Sequence, residues 1–380
     1  MRVFVDARWT CTDHHNGVSR YGANLIEALN RLHPVTMLIH DHRQLRLLPP
    51  EVRAVRINHP VSVRELVLAR TLRRLGADVV FSPLQVIGGI GRRYALVLTV
   101  HDLIYYRHPR PPDYLSWPVR AIWRLYHAMY WPQRVLLNRA DAVVTVSATT
   151  KQLLAENRLT RRPIAVVGNA SQHAGDSDAG DSDAGDSDAG KPDAGTPSEQ
   201  DEPSGGSRVL AYMGSFMPYK DVETLIAGMA HLPGYALHLL SGISPEREHE
   251  LRALVPAGSE VVFWRGISDG DYHRLLARAR ALVTASRDEG FGLPLVEAMS
   301  AGTPVVCSDL RVFREVTGGH ARFFEVGSSR CFATAVRQLE NPQLRAELVS
   351  SAHEKSREFS WGASARTLLD LMWTVHQQGC

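Results

Sequence analysis

Cysteine is scarce in this sequence. The four residues, at positions 11, 307, 331 and 380 of 380, are widely scattered and no two are spaced C-x-x-C. That spacing excludes the usual zinc and redox-pair patterns, and a chain of this length can bury a sufficient core without disulfide staples. A reducing cytoplasm is the expected compartment. No apolar run approaches the roughly 20 residues that a spanning helix requires, so a soluble or peripheral protein is expected. The opening "MRVFVDARWT" has a short apolar run broken at once by Asp6 and Arg8, which reads as a buried strand and not as a secretion signal. The G-x-G-x-x-G fingerprint of nicotinamide and flavin proteins is also missing: neither "DHHNGVSRYG" (13–22) nor "GGIGRR" (88–93) fits it.

The composition that remains is ordinary for a globular protein, 44% hydrophobic and 22% charged, and the length suggests about two domains. Near-continuous apolar runs such as "RVFVDA" (2–7), "VTMLIH" (35–40), "DVVFSP" (78–83), "ALVLTV" (95–100), "AVVTVS" (142–147) and "IAVVGN" (164–169) alternate with helical patterns at 18–32, 63–75 and 114–139. Strands buried on both faces and separated by amphipathic helices predict a parallel sheet with helices on each side. The same alternation resumes at "VLAYMG" (209–214) and runs through "ALHLLS", "VVFWRG", "ALVTAS", "PVVCSD" and "ARFFEV" to two long helical stretches, 329–340 and 343–375, the second broken near Trp361. The fold class is therefore α/β, with two doubly wound domains at 1–170 and 207–380, the last helix free to cross back to the first. Such domains leave a cleft between the carboxyl ends of their sheets, where ligands bind in these folds.

Between them, 171–206 is Asp, Ser, Gly, Ala and Pro, including three DSDAG repeats. It cannot bury enough apolar surface to offset ordering, so it reads as a disordered acidic linker. Its Asp-x-Asp pairs suggest metal binding, but the five-residue period lacks the terminal glutamate of a calcium loop and the apolar anchor of a calcium β-helix. Charge is uneven along the chain. Residues 1–170 hold 24 Lys/Arg against 11 Asp/Glu, a net of +13, and the linker nets −9. A partner of opposite charge is expected for the first half, either an anionic membrane or an anionic acceptor. Nucleic acid fits poorly, because the arginines are spread over several elements without a recognition motif.

Several stretches could carry chemistry. In "SRDEGFGLPLVEAMSAG" (286–302) a strand end is followed by Gly290 and Gly292, and Pro294 sits where a helix should begin. Glycines allow close backbone approach, and a helix start offers unpaired amides and partial positive charge to an anion. Glu289 lies before that helix and Glu297 about one turn inside it, so the two carboxylates can grip different parts of one elongated ligand. The alternative is a glycine-rich turn with two surface glutamates. In "AYMGSFMPYKDVETLI", Lys220 falls at the carboxyl end of another strand, one place before Asp221, a candidate N-cap; it is either a phosphate ligand or a surface lysine. Gly17 precedes the first helix as in a phosphate-binding turn. His101 and Asp102 follow a buried strand directly, as a titratable pair or as a plain turn. In "WPVRAIWRLYHAMYWPQRVLLNR" (117–139), tryptophans and tyrosines interleave with arginines, which suits either a membrane-surface helix or a covering helix with its rings turned inward.

These pieces together resemble the family 4 retaining glycosyltransferases, which have the two-domain GT-B fold. The matches are "EGFGLPLVEAMSAGTPVV", with the E-x₇-E signature, "FSWGASARTLLDLM", "GSFMPYKDVETLI", "GVSRYGANLIEAL", "TVHDLIYYRHP" and "VSATTKQLLAE", in family order over almost the whole chain apart from 171–206. The resemblance implies that Glu289 holds hydroxyls of the donor sugar, that the amides of Gly290, Phe291, Gly292 and Leu293 contact sugar and diphosphate, and that Glu297 binds the ribose. It also implies that Lys220 neutralises the departing diphosphate, that Gly17 lets the first domain close on it, and that His101 lies near the sugar and the acceptor. Many members carry an arginine after the glycine that ends the 209–214 strand; here Gly214 is followed by Ser215, as in some bacterial polysaccharide mannosyl- and rhamnosyltransferases. That places Ser215 among the donor-binding residues and favours GDP-mannose as donor. No cofactor and no essential metal are expected, and the implied acceptor is a glycan or lipid-linked sugar at the inner membrane face. A nucleotide-sugar epimerase of the same fold, or a non-catalytic nucleotide-sugar-binding scaffold, would use the same residues.

Overall fold

A computed structural model describes residues 1–109, 117–171 and 208–378. From residue 172 onward, the acidic segment read as a linker lies outside the described residues. The first sheet is built from β1 (Val3–Asp6), β2 (Val35–Ile39), β3 (Arg53–Arg56), β4 (Val79–Ser82), β5 (Ala95–Val100), β6 (Ala142–Thr145) and β7 (Ile164–Val166). All pairings are parallel and the order is β3-β2-β1-β4-β5-β6-β7. The second sheet holds β8 (Val209–Tyr212), β9 (Ala236–Leu239), β10 (Glu260–Phe263), β11 (Ala281–Thr284), β12 (Val305–Ser308) and β13 (Arg322–Phe324), again parallel, in the order β10-β9-β8-β11-β12-β13. Every residue of β1, β4, β5, β6, β11 and β12 is buried, which is why these strands read as unbroken apolar runs. In each sheet the chain reverses direction beside the first strand, between β1 and β4 and between β8 and β11, and the carboxyl ends there form the crevices in which such folds bind ligands.

The first sheet is covered by α1 (Gly17–Leu32), α2 (Leu68–Leu75), α3 (Ile104–Arg107), α4 (Trp117–His127), α5 (Trp131–Asn138) and α6 (Ala148–Glu156). The second is flanked by α7 (Val222–Gly228), α8 (Pro245–Arg252), α9 (Asp269–Arg278), α10 (Leu293–Ser300), α11 (Arg311–Thr317), α12 (Ser329–Gln338), α13 (Pro342–Ser356) and α14 (Trp361–Gln378). Asn16 caps α1 by accepting from the Ser19 amide at 2.9 Å. Two expectations need correcting. The single helix expected over 114–139 is two helices: Pro132 lacks an N–H and starts α5 in its first turn. Strand β3, "RAVR", was not foreseen, because its exposed arginines at both ends leave no apolar run to read.

The domains meet in one continuous core, in which Val144 and Val167 of the first share a cluster with Phe291 and Leu295 of the second. Helix α14 packs on α1 and on β5, β6 and β7, and Ser364 Oγ donates to the Gly168 carbonyl at 2.9 Å. Across the same boundary the Glu315 carboxylate on α11 accepts from the Ala148 and Thr149 amides at 2.6 and 2.7 Å and from the Thr149 hydroxyl at 2.6 Å. A side chain of one domain thus serves the open amides at the start of a helix in the other.

At the carboxyl end of β1, Arg8 is fully buried. Its guanidinium donates to both oxygens of buried Asp6, at 2.7 and 2.9 Å, and pairs with Glu65. Glu65 in turn accepts from the Gly88 amide at 2.8 Å, so the network ties three loops to the sheet. Arg8→Ala strands two carboxylates and is expected to cost about 3–5 kcal/mol; replacing all three charges with Asn, Met and Gln is expected to recover most of that. Denaturant unfolding checks both, and an unchanged midpoint in Arg8→Ala contradicts the role given to the network.

Candidate active site at the domain cleft

The site grows from two strand ends of the second domain. After β8 the chain runs through Gly214 and Ser215 to a 3-10 turn at Pro218–Lys220. After β11 it runs through Arg287, Asp288 and Glu289 into Gly290 and Gly292. The Arg287 amide donates to the Tyr219 carbonyl at 2.7 Å, which pins the two loops side by side. Their end residues then meet: the Lys220 ammonium donates to Glu289 Oε2, and both side chains are largely buried, 15% and 17% exposed. Helix α10 begins immediately beyond. Its N-cap is Gly292, in the left-handed region at φ +96°, Pro294 sits in its first turn, and no side chain caps it. A Cβ at position 292 would come 2.9 Å from the Phe313 ring, so both the conformation and the space call for glycine. The result is a lysine and an uncapped helix start converging on one point, with a carboxylate alongside.

Glu297 lies one turn further along α10 and is 7% exposed. Its Oε2 accepts from the Tyr272 hydroxyl of α9 at 3.0 Å, and its Oε1 from Arg20 Nη1 at 3.4 Å. Arg20 comes from the first turn of α1 and reaches Asp269 with its other nitrogen at 3.2 Å. The first domain therefore touches the E-x₇-E helix through a cation. Gly17 is exposed at the start of α1, with open space where a Cβ would stand.

The first domain supplies the opposite wall. His101 Nε2 lies 2.7 Å from the Pro83 carbonyl. A carbonyl only accepts, so Nε2 carries the proton and Nδ1 keeps the lone pair. Burial holds the imidazole below its ordinary pKa, opposed by that hydrogen bond, and the ring meets Tyr21 edge-on at 5.0 Å. Asp102 accepts from the Ile104 amide at 2.9 Å. Its carboxyl is pushed up to about 6, first by burial and then by the nearby Glu289 and Asp288 charges. Gly290 closes the gap: a Cβ there would stand 2.5 Å from the His101 carbonyl oxygen and 2.9 Å from the Asp102 Cβ. Its own carbonyl accepts from the Ser147 hydroxyl at 2.8 Å.

Of the residues singled out from the sequence, Glu289, Lys220, Gly290, Gly292, Leu293 and His101 come together, with Glu297 and Gly17 along the same cleft. One side chain points elsewhere. Phe291 is buried in the interdomain core against Phe359, rings 5.7 Å apart, so only its backbone is left for a ligand. Ser215 is exposed in the loop after β8, and its carbonyl accepts from the Tyr212 hydroxyl at 2.6 Å. Asp221 is the N-cap of α7 as foreseen, but it makes no side-chain cap; its carboxylate takes Thr224 and Arg287 instead, each at 2.9 Å. Arg20, Tyr272, Asp288 and Glu315 were not foreseen as site or boundary groups. Arg20 stood inside "GVSRYGANLIEAL" and an arginine in the first turn of a helix, where the dipole disfavours it, was the one available signal. Among the described residues no group of three or more His, Cys, Asp or Glu is placed to hold a metal ion.

With this geometry in hand, the comparisons are specific. Residues 15–171 match the family "Glycosyltransferase Family 4" and residues 196–357 match "Glycosyl transferases group 1". Both halves of the chain are thus glycosyltransferase domains, the first of them of family 4. The serotype-specific mannosyltransferase WbdA of Escherichia coli is 29% identical over 273 residues, 69% of this chain and 31% of that protein. A phosphatidyl-myo-inositol mannosyltransferase of Mycobacterium leprae is 32% identical over 47% of this chain and 46% of its own length. The chain thus spans about a third to a half of these relatives. Among solved structures, sucrose-phosphate synthase from Thermosynechococcus elongatus superposes with a TM-score of 0.72 at 18% identity, covering 97% of this chain and 98% of that one. Anabaena HepE in complex with UDP and glucose superposes with a TM-score of 0.69 at 16% identity, covering 98% and 100%. The shared architecture is GT-B.

The raised Asp102 carboxyl gives a signed expectation. Its folded pKa of about 6 lies above the ordinary 3.8, so the ionised form opposes folding and the penalty is present above pH 6. It fades as pH falls through this range and is gone only below 3.8, where the carboxyl is neutral in both states. Asp102→Asn is therefore expected to raise the melting temperature at pH 8 and to have a much smaller effect at pH 4; a gain that is the same at both values contradicts the shift.

Proposed function

We propose that this chain is a retaining glycosyltransferase that moves a hexose, mannose favoured, from a nucleoside-diphosphate sugar to a glycan or lipid-linked acceptor in cell-envelope polysaccharide or glycolipid synthesis. The observation that carries this reading is the Lys220–Glu289 pair beside the uncapped start of α10. In glycosyl transfer the sugar becomes oxocarbenium-like while negative charge builds on the departing diphosphate. Lys220 and the amides of Gly292 and Leu293 are fixed where that charge develops, so they need little reorganisation as it grows. Glu289 exchanges its lysine for hydroxyls of the donor sugar, and Glu297 takes the ribose. The leaving phosphate accepts the acceptor's proton, which accounts for a site without a dedicated general base. His101, with its Nδ1 lone pair, accepts from a sugar hydroxyl. GDP-mannose is the preferred donor, on the small polar Ser215 and on the similarity to proteins named as mannosyltransferases. No essential metal is assigned.

We place the protein in the cytoplasm, at the inner face of the membrane. No helix among the described residues is long and apolar enough to cross a bilayer. The α4–α5 region divides its aromatics. Trp123, Tyr130 and His127 pack on Tyr105 and Tyr106, whereas Trp117, Leu125 and Trp131 are 79%, 67% and 65% exposed. Apolar side chains beside Arg124 and within a +13 half-chain suit an anionic lipid surface.

Three measurements test this. Lys220→Ala is expected to lower turnover by at least about 100-fold, and near-wild-type turnover refutes the phosphate role. Glu297→Gln is expected to raise the donor KM by about ten- to a hundredfold with a smaller change in kcat, alongside a thermal-shift screen in which a nucleoside diphosphate raises the melting temperature. Trp117→Ser/Trp131→Ser is expected to release the protein from phosphatidylglycerol vesicles in a sedimentation assay; retention equal to wild type removes the membrane assignment.

A further inference from the structure

A cleft of about 470 Å³ opens between α3 and the loop that leads into Lys220. Its wall carries two aromatic rings, Tyr105 and Tyr219, and three basic side chains, Arg107, His108 and Arg287, and among the described residues that line it there is no carboxylate. Glu297, Tyr272 and Arg20, the groups assigned to the nucleotide side, are not part of it.

Behind this basic layer lies a second one. Arg107 Nε is 2.9 Å from Asp288 Oδ2, and His108 Nε2 is 3.6 Å from the same oxygen. Arg287 Nη2 is 2.9 Å from Asp221 Oδ2. Both carboxylates are buried, with side chains 6% and 8% exposed, while the arginines are 44% and 50% exposed. Burying a carboxylate is costly unless it is paired, and here each one anchors a guanidinium by one edge. A guanidinium has five N–H donors in a rigid fork, so most of the donors remain for whatever occupies the cleft. Tyr219 lies beside this layer, its ring 6.0 Å from that of His108 at an interplanar angle of 33°, and offers a flat apolar face to a sugar ring. Tyr219 directly precedes Lys220 and Asp288 directly precedes Glu289, so any ligand held here reaches the reacting pair.

We propose that this cleft is the acceptor subsite and that it selects a phosphorylated acceptor, with Arg107, His108 and Arg287 gripping the phosphate and Tyr219 carrying a sugar ring. The inference rests on the glycosyltransferase reading above for the direction of transfer. It adds the chemical class of the acceptor, a sugar phosphate or a sugar on a lipid phosphate. A volume of about 470 Å³ falls within the usual range for small-molecule sites and accommodates a phosphorylated saccharide without the nucleotide.

The test is calorimetric titration of the full chain with α-glucose 1-phosphate, with and without saturating amounts of the nucleoside diphosphate selected by the thermal-shift screen. Methyl α-glucoside is the uncharged control. The sugar phosphate is expected to bind in both conditions, at least about tenfold more tightly than the glucoside. Arg107→Gln/Arg287→Gln is expected to lose at least about tenfold in that affinity while nucleoside diphosphate binding is unchanged, which also reports that the variant folds; Arg107→Lys/Arg287→Lys is expected to fall between. A second arm measures retention on neutral vesicles carrying polyprenyl-phosphate glucose. Loss of that retention in the Gln variant identifies the lipid-linked source, and binding of the soluble sugar phosphate alone identifies the free one; either supports the site. Competition between sugar phosphate and nucleotide, equal affinity for the glucoside, or unchanged affinity in the Gln variant overturns it. Failure of the nucleotide to bind at all counts against the donor reading instead, because the titration without nucleotide still reports on the cleft.

Discussion

The site depends on a missing methyl group. At Gly290 the chain of the second domain presses so closely on the backbone of His101 and Asp102 that any Cβ would overlap the His101 carbonyl oxygen. Because nothing stands there, Ser147 can bond the Gly290 carbonyl and the two domains share one apolar core. The Glu289 carboxylate pairs with Lys220 of its own domain, near enough to Asp102 of the other for its charge to be felt there. Interiors are close-packed, so a shift of a fraction of an ångström at this contact is felt by everything stacked on it. The rise in the Asp102 pKa is one consequence: the approach that seals the domains also places a second carboxyl beside Glu289, out of water.

Much of this was legible in the sequence, and the reason is the period of the structure. Strands covered on both faces are apolar at every position, so β1, β4 to β6 and most of the second sheet announced themselves. Lys220, Glu289, Gly290, Gly292 and Glu297 could be read because local rules govern them: strand end, glycine turn, helix start. What escaped was set by tertiary contact. Arg20 and Glu297 are 277 positions apart and Glu315 and Ala148 are 167 apart, and no local pattern carries such a pairing. Strand β3 failed for the opposite reason, since an edge strand with exposed ends has no period to detect. For Phe291 the loop could be read, but not that its ring would turn into the interdomain core.

The electrostatics of the cleft follow one pattern. Among the described residues, Lys220 is held by Glu289, Arg20 by Glu297, Arg107 by Asp288 and Arg287 by Asp221. A diphosphate entering such a site does not meet bare positive charge. It competes with carboxylates for the same N–H groups. For the first two pairs the competition is favourable only if the displaced carboxylates find other donors, and the hydroxyls of a sugar and a ribose are donors of the right kind. On the proposed reading, Glu289 and Glu297 hold their cations until a donor molecule arrives and then accept from its hydroxyls. On the same reading, an anion lacking the sugar, such as free pyrophosphate, would take Lys220 from Glu289 without offering that carboxylate a hydroxyl in return, which is costly in a dry cleft.

The same reasoning bears on Ser215. With no arginine after Gly214, the β8 loop brings Lys220 to the cleft as its cation, and the cation on Glu297 of the E-x₇-E helix is Arg20, contributed by α1 of the other domain. A guanidinium in the first turn of a helix opposes the local dipole, so its position there is a cost to α1 that the Glu297 and Asp269 carboxylates offset only while the domains are together. Closure and charge balance are therefore coupled. Drawing the domains apart would take Arg20 away from both acids, so the charge balance at Glu297 holds only in the arrangement in which α1 meets α9 and α10.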